Sequence, residues 1–284
     1  MRDPNAPQPR RLVLSGVEIE LLCRRTQVTL PPGFGTGAEA AETALRAAEA
    51  LARRGVVEPA ESGDPLECAV HPSVLANLSI LARPRVLLRT EVSLGDSGSR
   101  AVHAVSGPLG ASLFALADDA VELSMFAARD LGRELVRAVP PVAAEAGQGR
   151  GIVDILSGPS GPAAPPHGRL PLAALENVGP ALAFGGAAGA ERAGAELGLS
   201  PEELALAREV TARTTGMLRC LVVGPSGDQD TDDLLVGQVV WFATDAGWIG
   251  LEPDPAERRM VRLAPVARED IGTWVAPYVA EVLG

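Results

Sequence analysis

An order of elements that occurs twice limits the fold more than any other feature of this sequence. Helically spaced apolar residues, four short strand-like runs and a further helix recur at about residues 72–139 and 200–283. In the first occurrence Pro72 stands at a tolerated first helical position. Val74, Leu75, Leu78 and Leu81 follow at helical spacing, and Pro84 stops the helix. Runs at 86–92, 101–105, 111–117 and 120–125 come next, with a turn at Gly95-Asp96-Ser97-Gly98, and residues 126–139 return to a helical stripe. Connections this short cannot carry parallel crossovers, so the four runs form an antiparallel meander.

In the second occurrence Ser200-Pro201-Glu202-Glu203 is a capping box that opens a helix through Thr211. Strand runs at 217–223, 234–243, 247–251 and 259–264 follow, and the last helix spans about 268–283, where Pro277 should kink or loosen it. The expected fold class is α+β: a central twisted antiparallel sheet from two pseudo-symmetric helix–meander–helix halves, flanked by helical bundles. The halves are placed at 10–139 and 170–284 of a single domain. An arm at 140–169 joins them, because residues 139–168 hold six Pro and six Gly. Ahead of the first meander, residues 11–14 read as a strand and Ser15 as the cap of a helix to Leu22. Residues 27–30 read as a possible strand, and 38–54 as an Ala-rich helix that Gly55 closes.

All 25 basic residues are Arg, and there is no Lys. P-loop phosphate binding, Schiff-base chemistry and kinase-type phosphoryl transfer all lack their amine. A net charge of −11 opposes tight nucleic-acid binding. Cys23, Cys68 and Cys220 are odd in number and far apart, with no Cys-x-x-Cys pair. They are read as free buried thiols of a reducing, cytoplasmic protein. No apolar run follows the first seven residues, and the stretch 178–190 is too short and too rich in Gly and Pro to span a membrane. Neither a signal peptide nor membrane insertion is therefore expected.

Candidate chemistry is sparse. Gly33-Phe34-Gly35-Thr36-Gly37 is glycine-rich but lacks the spacing of a dinucleotide fingerprint. Asp228, Asp230 and Asp232 alternate as in a calcium loop, yet Asp233 stands at the sixth position and Val239 at the twelfth. A solvated acidic hairpin tip fits these residues better. His71, His103 and His167 sit in no catalytic motif, and Trp241, Trp248, Trp274 and Tyr278 alternate as anchors of one core would. No catalytic residue, cofactor or metal ligand is assigned.

The whole layout resembles the EspG family, cytosolic chaperones of ESX (type VII) secretion in actinobacteria. Val13-Leu14-Ser15 with Glu18 and Leu22 is similar to that family's opening strand and helix. Val261-Arg262-Leu263-Ala264-Pro265, running into an amphipathic terminal helix, is similar to its close. Two places depart from the family pattern: Arg213-Thr214-Thr215-Gly216-Met217 at the entry to the second meander, and the short turn from Gly95 to Ser99. The resemblance implies a non-enzymatic chaperone that binds helical PE–PPE-like substrates and keeps them soluble for export. Candidate contacts are Gly95, Asp96 and Ser97, the acidic loop with Asp228, Asp230, Asp232 and Asp233, and the bundle near Leu199 and Leu204. A homodimer stays open. The alternative is a small-molecule-binding regulatory domain with a pocket near the C-terminal Trp cluster; an enzyme comes third.

Overall fold

Local caps set the helix boundaries. Ser15 accepts from the Glu18 backbone while Glu18 accepts from the Ser15 N–H, which starts α1 (Gly16–Thr26) after strand β1 (Arg11–Leu14). The same reciprocal pair at Ser200 and Glu203, with Pro201 at the first helical position, starts α6 (Pro201–Arg213). The computed structural model describes residues 11–31, 33–34, 41–58, 64, 67–142, 164–225, 234–257 and 259–283.

Between these caps lie α2 (Ala41–Arg53), the paired strands β2 (Val57–Glu58) and β3 (Ala69–Val70), and α3 (Pro72–Ala82). The first meander is β4 (Val86–Leu94), β5 (Ser97–Ser106), β6 (Leu109–Ala115) and β7 (Val121–Ala127), followed by α4 (Leu131–Ala138). Then come β8 (Gly168–Pro171) and α5 (Leu172–Glu196) before α6. The second meander is β9 (Thr214–Pro225), β10 (Leu234–Thr244), β11 (Gly247–Pro253) and β12 (Met260–Val266), closed by α7 (Ile271–Leu283). The fold is mixed α+β, with a ten-stranded sheet and, among the described residues, seven α-helices.

The sheet runs β1-β7-β6-β5-β4-β9-β10-β11-β12-β8, and neighbouring strands are antiparallel throughout. Its centre is the β4–β9 pair, where Leu87 lies opposite Val223 and Leu94 opposite Gly216. Period-2 alternation sends Val86, Leu88, Leu218, Cys220, Val222, Val239 and Trp241 to one face, where α4 and α7 cover them. The opposite face is covered at its two flanks. Val102, Ala104, Leu113 and Leu123 pack under α1–α3, and Leu170, Ile249 and Leu263 pack under α5 and α6.

Several expectations are corrected. Residues 28–30 form no strand; α1 ends on Gln27 in the left-handed region, and Val28 N–H closes back on Cys23. The helix expected from residue 126 begins at Leu131, because Phe126 still pairs with Gly110 in β7. Across the end of the expected connecting arm and the start of the second half, Gly168–Pro171 forms the edge strand β8.

Helix α5 has no counterpart among the elements expected from sequence. It turns back on itself at Gly186 (φ 62°, ψ −154°), and a Cβ on Gly189 would collide with the Ala181 carbonyl. Only glycine admits that backbone and that approach. Its two arms form a hairpin with Phe184 at the tip, 94 % exposed. The Trp cluster is packed core and not a pocket wall. Trp241 and Trp248 are fully buried with ring centroids 6.3 Å apart, Trp274 meets Trp241 edge-on at 5.8 Å, and Trp274 fills the space where Gly250 has no side chain. The small-molecule reading loses its site there.

Candidate partner-binding surface

The opposite face keeps a strip along β5, β4, β9 and β10 that no described helix covers. The register fixes its composition. One row runs Arg100, Glu91, Arg219, Val240; the next runs Arg89, Leu221, Gln238; a third runs Leu87, Val223, Val236. Val236 is 63 % exposed and Leu234, at the end of the strip, 67 %. Apolar residues on both faces of a strand signify a sheet buried on both sides, so a strip of this kind calls for a cover.

Charge on the strip differs in sign from the chain as a whole. Arg89, Arg100 and Arg219 surround the single carboxylate of Glu91. Arg89 Nη2 bonds Glu91 Oε1 at 2.6 Å, and Arg219 Nη2 donates to Gln238 Oε1 at 3.3 Å. A hollow of about 470 Å³ opens where Glu91, Ser93, Arg100, Met217 and Arg219 meet.

The structure places the expected contact residues apart. Gly95 and Asp96 form the two-residue turn between β4 and β5, with Gly95 at φ 53° and its N–H bonded to Thr215 O at 3.0 Å. Ser97 opens β5 and donates its hydroxyl to Leu94 O. This turn closes one end of the strip. Leu199 and Leu204 belong to the α5–α6 hairpin, where Leu204 closes over Gly194; Leu204 stands in the first turn of α6, and the rest of that helix, about 14 Å, separates it from that end. Asp228, Asp230, Asp232 and Asp233 lie outside the described residues; β9 leaves for them at Pro225, some 30 Å along the strand from Thr215. Of the Gly33–Gly37 run only Gly33 and Phe34 are described, and Phe34 is buried.

Sequence reasoning missed Arg89, Glu91, Arg219, Val236 and the Phe184 tip. The near-unbroken apolar run from Leu234 to Phe242 was the available signal. The tip lies at the same end of the sheet as the Gly95 turn. The first arm of α5 leaves the β12 edge at Leu172, runs alongside α6 with Gly179 against Thr211, and projects past the point where α6 enters β9.

Titratable groups elsewhere serve packing. His103 is fully buried, its Nδ1 2.8 Å from Ser112 Oγ, and burial together with Arg137 pushes its pKa down to about 3. His71 accepts from Ser73 N–H and caps α3. His167 Nδ1 lies 3.2 Å from Pro165 O. Burial raises the thiols of Cys23 to about 12 and Cys220 to about 11, and all three cysteines are free and buried. Among the described residues no group of three His, Cys, Asp or Glu side chains could hold a metal, and no helix is long and apolar enough to cross a membrane.

Comparison with known proteins adds what geometry alone does not. A search of curated proteins gives no match. Fourteen solved chains match this structure. One is the Mycobacterium tuberculosis type VII secretion system chaperone EspG5, solved in complex with a PE25–PPE41 dimer. It is 14 % identical, with 96 % of each chain covered and a TM-score of 0.58. At that identity the likeness concerns the fold. The sequence profile of the EspG family matches residues 18–276, nearly the whole chain, and the chain therefore belongs to the EspG family.

Proposed function

We propose that this chain is a non-enzymatic cytosolic chaperone that covers the apolar tip of a helical PE–PPE-type heterodimer and holds it soluble for type VII (ESX) export. The sheet strip carries this reading, since it is the place where Val236 and Leu234 are exposed and no described helix covers them. EspG5, which has this fold, is solved with a PE25–PPE41 dimer. A helical tip laid on the strip would bury its apolar residues against Leu221, Val223 and Val236 and set its carboxylates near Arg89, Arg100 and Arg219.

The expected contacts divide between two flanks. Gly95, Asp96 and Ser97 border the strip at the end that also carries Phe184, and Leu199 and Leu204 support the hairpin that walls it. Asp228, Asp230, Asp232 and Asp233, the remaining expected contacts, lie outside the described residues. The halves 10–139 and 170–284 are inferred to be pseudo-symmetric. The strand order supports this, since each half contributes one four-stranded meander, the two meeting at the β4–β9 pair, and one further edge strand.

Co-expression with PE/PPE-like genes, and with WXG100-like genes as the competing helical substrates, tests the reading. Recovery of a stable complex with a PE–PPE-type pair supports it. Failure to recover any such complex contradicts it.

A further inference from the structure

The same sheet face carries a second hollow, well away from the strip. A cavity of about 700 Å³ lies between α3 and the β1–β7–β6 edge of the sheet. Leu12, Val74, Leu109, Leu123 and Met125 give it an apolar wall. Asn77 lines it too, only 6 % exposed. Its Nδ2 donates to Ser73 O at 3.2 Å, which leaves Oδ1 buried with no donor. Buried acceptors are nearly always paired, so this one marks a missing partner. The helix itself does not demand an amide there. α6 opens on Pro201 as α3 opens on Pro72, and its sixth residue, where α3 has Asn77, is Leu206, packed against Gly168.

An ion finds no counterpart in this cavity. Alternation along β1 turns the Arg11 side chain to Glu122, on the face opposite Leu12. The Arg54 guanidinium is held by Glu18 Oε1 at 3.1 Å, Glu18 Oε2 at 3.2 Å and Val13 O. The start of α3 has no free donor for an anion either. Pro72 lacks an N–H, Ser73 N–H goes to His71 Nδ1 at 3.2 Å, and those of Val74 and Leu75 go to His71 O at 2.9 and 3.0 Å. For a cation, no Asp or Glu is among the described residues that line the cavity, and the positive end of the α3 dipole lies at it. What remains unmet is acceptors. His71 Nδ1 accepts from Ser73 N–H, so Ser73 Oγ, 2.7 Å away, donates to the same nitrogen and keeps its lone pairs for another donor.

We propose that this cavity binds a small uncharged amphiphile, an apolar body carrying one hydroxyl or N–H group. The donor serves Asn77 Oδ1, and the body rests on Leu12, Leu123 and Met125. A carboxylate or ammonium on the same body would give up its hydration for no partner, and a plain hydrocarbon would leave Asn77 unpaired. The volume falls in the range that holds a small ligand. This site stands apart from the substrate strip and does not depend on it.

Isothermal titration of the full chain at pH 7 with 1-octanol, 1-methoxyoctane, octanoate and octylammonium tests this. Octanol is expected to bind. The ether, which lacks the donor, and the two ions should each bind about tenfold or more weakly. Asn77→Leu, which gives α3 the residue that α6 carries, should bring octanol down to the level of the ether. If that variant does not fold, the comparison of octanol with its ether on the parent chain still decides. No heat with octanol, equal affinity for octanol and the ether, an ion that binds as tightly as octanol, or a folded Asn77→Leu variant that binds octanol unchanged would each overturn the proposal.

Discussion

Gly272 of α7 lies against Gly132 of α4, so closely that a Cβ on Gly272 would stand 3.1 Å from the Gly132 Cα. The two helices covering the β4–β9 centre therefore touch backbone to backbone. Gly272→Ala should lower stability by about 1–3 kcal/mol, because a helix backbone and not a flexible side-chain end must give way. A Cβ on Gly132 would meet Gly272 at 3.8 Å, an ordinary contact, so Gly132→Ala should be neutral or gain up to about 1 kcal/mol from helix propensity. Urea unfolding of the two variants checks the contrast.

His103 should make stability depend on acid. Its folded pKa of about 3 lies below the ordinary 6.5, so between those values the unfolded chain binds a proton that the folded chain does not. The contribution is complete above pH 6.5 and falls as the pH drops toward 3, by at most about 1.4 kcal/mol per unit. Carboxylates titrate in part of the same window, so the comparison is with His103→Gln, which can keep a bond to Ser112. Denaturant midpoints measured from pH 7 to pH 4 should fall less steeply in the variant.

The thiols offer a probe of core integrity. With Cys23 and Cys220 protonated well above neutral pH and all three sulfurs buried, the native chain should react slowly with a thiol reagent at pH 8. In guanidinium chloride all three should react rapidly. Fast native labelling at Cys220 would mean that the sheet centre opens.

Most of the fold is legible because its signals are local. Pro72, Ser200 and Gly55 mark helix ends by their own backbone chemistry, and the alternation in β4 and β9 marks two-faced strands. Helix α5 was not legible, since Gly179, Pro180, Gly185, Gly186 and Gly189 all count against a helix. Tertiary contact overrides that local preference. Gly179 admits Thr211, Gly189 admits Ala181 and, further along, Gly194 admits Leu204, while Gly186 supplies the positive φ of the turn. The strip was hidden for a different reason. Val236 and Val239 look alike in sequence, and only the placement of α7 over one, with no described helix over the other, separates an exposed Val from a buried one.

Phe184 separates folding from binding. At 94 % exposure it contributes little to the core, so Phe184→Ala should leave stability unchanged within about 0.5 kcal/mol. The same variant should weaken the complex with a PE–PPE-type heterodimer by about 1 kcal/mol or more, as loss of an aromatic anchor does. Thermal unfolding and biolayer interferometry on the same preparations give the two readings.

Whether the sheet strip holds the substrate is decided by size-exclusion chromatography with light scattering on this chain co-expressed with a PE–PPE-type heterodimer, alongside Arg219→Glu and Val236→Asp. Both substituted positions are exposed on the strip, so the variants should melt like the parent. One co-eluting species of chaperone and heterodimer is expected for the parent, and separated peaks for both variants. Binding through the strip is refuted if the parent co-elutes with no PE–PPE-type pair, or if co-elution is undiminished in both variants.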